Sequence, residues 1–372
     1  MAACSQNGSS LSTANSSVGT ATIKLGIAIP YSGAYAAFGE QLHRGATQAI
    51  ADINAAGGIN GVKVVAIKGD DSCNPEEAVE VAEIFVQQDN VDAVVGHFCS
   101  SSSISASEVY YESDILMLSP SSTNPDVTDR GLDMVMRVSG RDDQQGQIAG
   151  DYIIDELRAA KVVVIHDKDI YGQGLADATR AQLDKRGGID IVLYDGLDRG
   201  QEDYSEIADK IYALNPDVIY FGGLDQEAGH LLRQIRERAT DAWFISGAGI
   251  ASKDFVKALG NNGFLTKTLM TFGADPRNAN YNPYGAKLVQ RFRDDGYEPE
   301  GYTLYAYAAV QVIAAAMRAN PGEKSGRILA DWLKSNSVLT VMGEKNFDSK
   351  GDLSVSDYVI YRWTERGTYE QL

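Results

Sequence analysis

Three short runs rich in hydroxyl-bearing residues could do chemistry in this chain. They are Asp70-Asp71-Ser72-Cys73-Asn74-Pro75, Gly96-His97-Phe98-Cys99-Ser100-Ser101-Ser102-Ser103 and Ser119-Pro120-Ser121-Ser122-Thr123-Asn124-Pro125. Each directly follows an apolar segment (Val62 to Ile67, Val91 to Val95, Ile115 to Leu118) and precedes a helical pattern. The runs therefore read as loops beyond the carboxyl ends of parallel strands, where open α/β sheets bind ligands. Hydroxyls and the free amides of a first helical turn suit an anion, because those N–H groups lack intrahelical partners and the helix dipole adds partial positive charge. A small carboxylate is the simplest guest. Ordinary capping by Ser and Thr is the competing explanation.

Such loops need a sheet beneath them. Ile23 to Pro30 predicts a strand, and Phe38 to Ala56 an amphipathic helix stopped by Gly57-Gly58. Strand and helix then alternate through Val62 to Ile67, Pro75 to Gln88, Ala93 to Gly96, Ser102 to Ser113, Ile115 to Leu118 and Met134 to Val138. A second alternating series runs from the helix Gln144 to Ala159 to the strand Leu269 to Phe272, and the segments Tyr284 to Asp294, Leu304 to Ala319 and Gly326 to Asn336 read as helices that need a sheet to cover. At 372 residues the chain exceeds the usual single-core limit of roughly 250–300 residues, so two domains are expected.

Composition narrows the function. Hydrophobic residues make up 44%, enough for real cores, and the net charge of -18 argues against nucleic acid, whose phosphates need a basic surface. No window approaches the ~18 consecutive apolar residues of a membrane span. The four histidines, His43, His97, His166 and His230, are not spaced as a metal pair, so neither a metal nor a cofactor is expected. Catalysis is disfavoured as well: the serine loops lack a Gly-x-Ser-x-Gly elbow, and no phosphate-binding or dinucleotide fingerprint occurs.

In order along the chain, Gly26-Ile27-Ala28-Ile29-Pro30-Tyr31-Ser32-Gly33, Asp52 through Gly61, Gly96 through Ser102, Ser119 through Pro125, Arg137 through Gly146, Ile165-His166-Asp167-Lys168 with Tyr171-Gly172-Gln173-Gly174, and Gly351-Asp352-Leu353 resemble the branched-chain amino-acid binding proteins of ABC importers. The resemblance runs from about Ile23 to Trp363. It implies the type I periplasmic binding fold, an α/β architecture of two doubly wound Rossmann-like lobes joined by a three-strand hinge. The lobes would comprise residues 22–140 plus 274–345 and residues 141–273 plus 346–372, crossing near Ser139 to Asp142, Met270 to Ala274 and Lys345 to Phe347. Such lobes close around a ligand by hinge rotation. A monomer handing a small amino acid or related carboxylate to ABC permease membrane subunits is implied. A sensor of the same fold is the rival, but this chain carries neither a DNA-binding module nor a span.

By the same resemblance Ser100 and Thr123, with backbone groups of Ser121 or Ser122, take the ligand carboxylate. Phe38 matches an aromatic covering the ligand, with a place in the helix core as its alternative. Tyr171 would reach across the cleft from the second lobe, unless it merely packs at the surface. The ammonium site departs from the family: where leucine-type relatives carry a glutamate this chain has Ala248, and Leu224 replaces an aromatic. A buried ammonium without a counter-charge would cost several kcal/mol. Asp225 is the first candidate to supply it and Asp275 the second, each with helix capping as the alternative. Asp142 and Gln145, at the first crossing, either orient the ligand or satisfy hinge backbone. The departure implies altered specificity, toward small neutral or polar amino acids, γ-aminobutyrate, an amide such as urea, or a carboxylate without an amine.

Family members bridge the positions of Cys73 and Cys99, and neighbouring strand-end loops can bring Cα atoms within the roughly 4.4–6.8 Å a disulfide requires. Two buried thiols are the alternative. Met1-Ala2-Ala3-Cys4 followed by a Ser/Asn/Thr-rich stretch looks like the end of a bacterial lipobox and a flexible tether over residues 1–21. Cys4 would then carry the lipid of an exported protein at the periplasm or cell surface.

Overall fold

The computed structural model describes residues 22–280, 282–355 and 357–372, so Cys4 and the expected tether lie outside the described residues. The first series is β1 (Thr22–Ile29), α1 (Ala36–Ala55), β2 (Lys63–Asp70), α2 (Pro75–Ile84), β3 (Ala93–Gly96), α3 (Ser100–Glu112), β4 (Met117–Ser119), α4 (Asp126–Asp129) and β5 (Val135–Arg137). Its strands form a five-stranded parallel sheet in the order β2-β1-β3-β4-β5. The order reverses at β1, and the loops after β1, β3 and β4 gather there. Strands covered on both faces read as continuous apolar runs, as Leu25 to Ile29 and Ala93 to Val95 do.

The second series is α5 (Asp142–Asp155), β6 (Lys161–His166), α6 (Ile170–Arg186), β7 (Asp190–Gly196), α7 (Ser205–Leu214), β8 (Val218–Gly222), α8 (Asp225–Glu237), β9 (Trp243–Ser246), α9 (Lys253–Leu259) and β10 (Thr268–Gly273). The chain then runs through α10 (Ala286–Asp294), α11 (Thr303–Ala319), α12 (Gly326–Ser335), the hairpin β11 (Val338–Thr340) and β12 (Gly343–Lys345), and finally β13 (Tyr358–Trp363) and β14 (Tyr369–Gln371). β13 and β14 join the second sheet, ordered β14-β13-β10-β9-β8-β6-β7, as its antiparallel edge.

The helix α11 returns to the first sheet and packs against α1, β3 and β4. Gly45 permits this close approach, since a Cβ there would overlap the carbonyl oxygen of Thr303. The doubly wound, two-lobed α/β fold is thus present, with the chain passing three times between the sheets.

Two of the connections run beside strands of the sheets. Ala274 N donates to Asp357 O at 2.9 Å, and Arg137 N donates to Gly351 O at 3.0 Å. Just beyond the segment Lys345 to Phe347, Gly351 and Asp352 lie against β5, because the carboxylate of Asp352 is drawn to the buried guanidinium of Arg137 and to Arg141.

Candidate functional site

The disulfide Cys73–Cys99 joins the loops after β2 and β3, with Cα atoms 5.5 Å apart. It fastens the start of α3, whose first residues Ser100 to Ser103 are all buried. Behind it, the ring of His97 spends both nitrogens on structure: Nδ1 lies 2.6 Å from Asp71 Oδ2 and Nε2 lies 3.1 Å from the Tyr110 hydroxyl. Neither nitrogen is left to activate a serine.

The turn after β4 is held from two sides. Ser119 Oγ accepts from Ser122 N at 2.9 Å and donates to His97 O at 2.9 Å. From below, Arg137 donates Nη1 to Ser122 O at 3.0 Å and Asn124 O at 2.8 Å, while its Nε bonds Asp352. This fully buried arginine fixes the carbonyls of the turn inward, leaving the opposite side of the backbone for the cleft.

Tyr171 comes from the second sheet, near the start of α6. Gly172 beside it lets α6 lie directly over the end of β8, where a Cβ would overlap Gly222 O. The Tyr171 hydroxyl accepts from Gly249 N at 3.1 Å, which leaves its proton to donate. Burial, reinforced by Asp142, holds this phenol far above its usual ionisation range, so it remains a donor.

A narrow cleft lies between the two sheets, lined by Phe98, Cys99, Ser100, Ser121, Tyr171, Leu224, Gly249 and Tyr302. With the lobes drawn together as they are, it is nearly filled by its own walls, so a ligand would enter as they part. No charged side chain lines it, so an anion there would be met by hydroxyls and the α3 amides. Contacts close the lobes around it: Asn124 Nδ2 donates to Ile170 O at 2.9 Å, Gln41 Nε2 to Ala251 O at 3.3 Å, and the Tyr35 hydroxyl to Glu227 at 3.4 Å. A larger hollow of about 630 Å3 near Ile23, Ile59 and Met317 sits at the opposite, amino end of β1, and its edge charges Asp92 and Lys324 are paired with each other.

Ser100, Ser121 and Tyr171 are brought together in the pocket wall. Ser100 Oγ accepts from Asn124 N at 3.2 Å and keeps its proton for a ligand. Thr123 lies two residues along the same turn, and its carbonyl accepts from Asp142 N at 2.9 Å. The Ser122 hydroxyl is spent on His97 O, Phe98 O and Ser103 Oγ, so this residue can contribute only backbone. Phe38 stands one layer back, stacked on Phe98 with ring centroids 4.6 Å apart; Phe98 itself forms the wall.

Neither acidic candidate for the ammonium is among the residues that line this pocket. Asp225 is fully buried, but one carboxylate oxygen accepts from Gln226 N at 2.9 Å and the other from the Ser252 hydroxyl. Asp275 pairs with Arg277 at 2.9 Å beside a separate hollow formed with Asn282 and Asp357. Two wall residues, Phe98 and Tyr302, were not among the expected site residues. Phe98 sits inside the second hydroxyl run, whereas Tyr302 arrives from the start of α11 and has no local signal.

Among the described residues no group of three His, Cys, Asp or Glu could hold a metal ion, and no helix is long and apolar enough to cross a membrane. Residues 22–368 match the family model described as periplasmic binding protein. An amino acid binding protein of Pseudomonas aeruginosa is 54% identical, the match covering 95% of this chain and 93% of that protein. A Leu/Ile/Val-binding protein homolog 1 of Brucella suis biovar 1 is 44% identical, over 93% and 91%. Among solved structures, the branched-chain amino acid transporter substrate binding protein LivJ from Streptococcus pneumoniae, in complex with isoleucine, aligns with a TM-score of 0.86 at 26% identity, covering 95% of this chain and 99% of that one. Two α/β lobes, a disulfide-fastened serine loop and a small uncharged cleft between them accord with these likenesses, and the chain belongs to the periplasmic binding protein family.

Proposed function

We propose that this protein is the extracytoplasmic solute-binding component of an ABC transporter, capturing a small amino acid between its lobes and delivering it to the permease subunits. The observation that carries this reading is the convergence of Ser100 and Ser121 from one lobe with Tyr171 from the other on one small pocket. The ligand carboxylate would sit on Ser100, Thr123, and the backbone of Ser121 and Ser122, and the Tyr171 hydroxyl would reach it on closure. A ligand favours closure only through contacts made in the closed state, and Tyr171 supplies such a contact. The lobes, residues 22–140 with 274–345 and residues 141–273 with 346–372, would rotate about the three connections.

The relatives' names, amino acid binding protein and Leu/Ile/Val-binding protein homolog, support the ligand class. Membership of a periplasmic family supports an exported protein acting by binding and not by catalysis. Anchoring through a lipidated Cys4 is proposed from the small residues before it and the polar stretch behind it; mass spectrometry of membrane-derived protein would show diacylglycerol on that thiol, and a free Cys4 would end the idea. A thermal-shift screen of the amino acids, γ-aminobutyrate, urea and simple carboxylates tests the function. An amino acid should raise the melting temperature in a saturable way. Stabilisation only by urea or by amine-free carboxylates would overturn the assignment.

A further inference from the structure

Asp142 opens α5 at the first passage between the lobes. It is fully buried, and neither carboxylate oxygen receives a hydrogen bond of normal geometry among the described residues, the Thr123 hydroxyl standing near it without completing one. One helical turn on, Gln145 donates Nε2 to Thr271 O at 3.0 Å and leaves Oε1 equally unpartnered. That oxygen and the Tyr171 hydroxyl lie 3.1 and 3.0 Å from where a Cβ on Gly247 would stand, so the amide oxygen is a near neighbour of a hydroxyl whose residue lines the pocket. Asp142 is tied to the same place, because its own amide donates to Thr123 O at 2.9 Å, in the turn proposed for the carboxylate.

The nearby cations are already committed. Arg137 gives its donors to Asp352, Ser122 O, Asn124 O and Thr128, and Arg141 gives its own to Asp129, Asp143 and Asp352. A buried acceptor left unpaired is costly, and a charged one more so. A folded protein keeps such a group where something else completes it. Three unpartnered acceptor atoms beside a carboxylate site match an ammonium, which has three donors and no acceptor. The competing positions need an ammonium less: Ala248 and Leu224 carry no charge, and each oxygen of Asp225 already accepts a hydrogen bond.

We infer that Asp142 is the counter-charge for the ligand's ammonium, with Gln145 Oε1 as a neutral acceptor beside it. This rests on the amino-acid reading above and names the residue that replaces the missing glutamate. Burial pushes the Asp142 carboxyl up to about 7, opposed by the Thr123 hydroxyl, Arg137 and Arg141 and assisted by Asp143. Around it stand the phenols Tyr171, Tyr220, Tyr302 and Tyr358, all held protonated by burial. Near neutral pH the empty site therefore holds a partly protonated carboxyl. An arriving ammonium keeps its own three protons, and the carboxyl proton leaves to solvent as the ion pair forms.

The test is calorimetric titration of the full protein and of Asp142→Asn with L-leucine, L-alanine and γ-aminobutyrate, each beside its amine-free counterpart (4-methylpentanoate, propionate, butyrate). Asp142→Asn should lose ~100-fold in affinity for the amine-bearing ligand that the parent binds, with the counterpart changed less than about threefold. Equal losses for both ligands, or none, would overturn the assignment. A parent that binds no amine-bearing probe, or prefers the amine-free one, would remove the amino-acid reading itself and this inference with it. Titration of the parent at pH 6.5 in buffers of different ionisation enthalpy reports independently of the variant's folding. Net proton release is expected there, and zero net exchange would refute the pairing.

Discussion

Replacing Arg137 by Met keeps an unbranched side chain of similar length while deleting every donor that organises the turn after β4. The guanidinium is wholly buried and its partner Asp352 is only 4% exposed in its side chain. Removing one member of a buried ion pair costs about 3–5 kcal/mol, because the other charge stays buried without compensation. Arg141 still donates to Asp352 at 2.7 Å, which moves the electrostatic part toward the lower end. The carbonyls of Ser122 and Asn124 also lose their donor, at ~1 kcal/mol each. A total of about 5 kcal/mol follows from these two contributions. With a urea slope of ~3 kcal/mol/M, the unfolding midpoint should fall by roughly 1.5 M. Calorimetry at low denaturant should also show at least ~10-fold weaker ligand binding, since the Ser121 to Asn124 turn has lost its brace. An unchanged midpoint would refute the claim that Arg137 holds the turn. A lowered midpoint with full affinity would refute the claim that the turn holds the ligand.

Other outcomes follow from the same geometry. Converting Cys73 and Cys99 to Ala opens a loop of 26 residues' separation, so unfolding should become easier by about 3.5 kcal/mol in the chain-entropy account; two free thiols in the native, unreduced protein would contradict the bridge. Asn124→Ala removes the 2.9 Å bond to Ile170 O across the cleft, and ligand dissociation measured by stopped flow should quicken about fivefold with association little changed. An unaltered off-rate would mean that this contact does not hold the lobes together. Stability should depend on pH in two opposite senses. Burial raises Asp142, Asp167 and Asp225 to about 7, so the stability linked to them is complete below the unfolded value near pH 4 and has been lost once pH has risen through about 7. Burial opposes ionisation of Asp352, but Arg137 and Arg141 outweigh it, so its contribution is lost as pH falls through its depressed folded value. Ligand-free stability should peak near about pH 4, decline toward about pH 7 and level off above it, and calorimetric melting temperatures rising from pH 5 to 7 would contradict this.

The first lobe was largely legible in the residues. Apolar runs too short for helices, each followed by Ser, Asn or Pro, specify strand, loop and helix start locally, and Asn74 does cap α2 with bonds to Glu76 N and Glu77 N. Where function depended on which way a side chain turned, local pattern was not enough. Asp225 has the capping and the ligand-binding roles equally open to it in sequence, and only the fold shows Ser252, 27 positions later, donating to its second oxygen. Ser122 has the right chemistry, but its hydroxyl faces back into the loop network.

Long-range pairing was illegible for a related reason. The lie of Gly351 and Asp352 against β5 depends on Arg137 meeting Asp352, 215 residues further along, and nothing in Gly351-Asp352 announces that partner. Tyr302 reaches the pocket only because α11 returns to the first sheet. Asp142 carried an ambiguous signal: its motif marks the first crossing, yet whether a buried carboxylate is satisfied can be known only from its surroundings.

The most direct measurement is a crystal structure of the protein saturated with the amino acid that stabilises it most. The account predicts that the ligand lies between the lobes with its carboxylate within hydrogen-bond reach of Ser100 Oγ and the Tyr171 hydroxyl, and its ammonium toward Asp142. A ligand bound outside that cleft, or lying in it with its carboxylate turned away from the Ser121 to Thr123 turn, would contradict it.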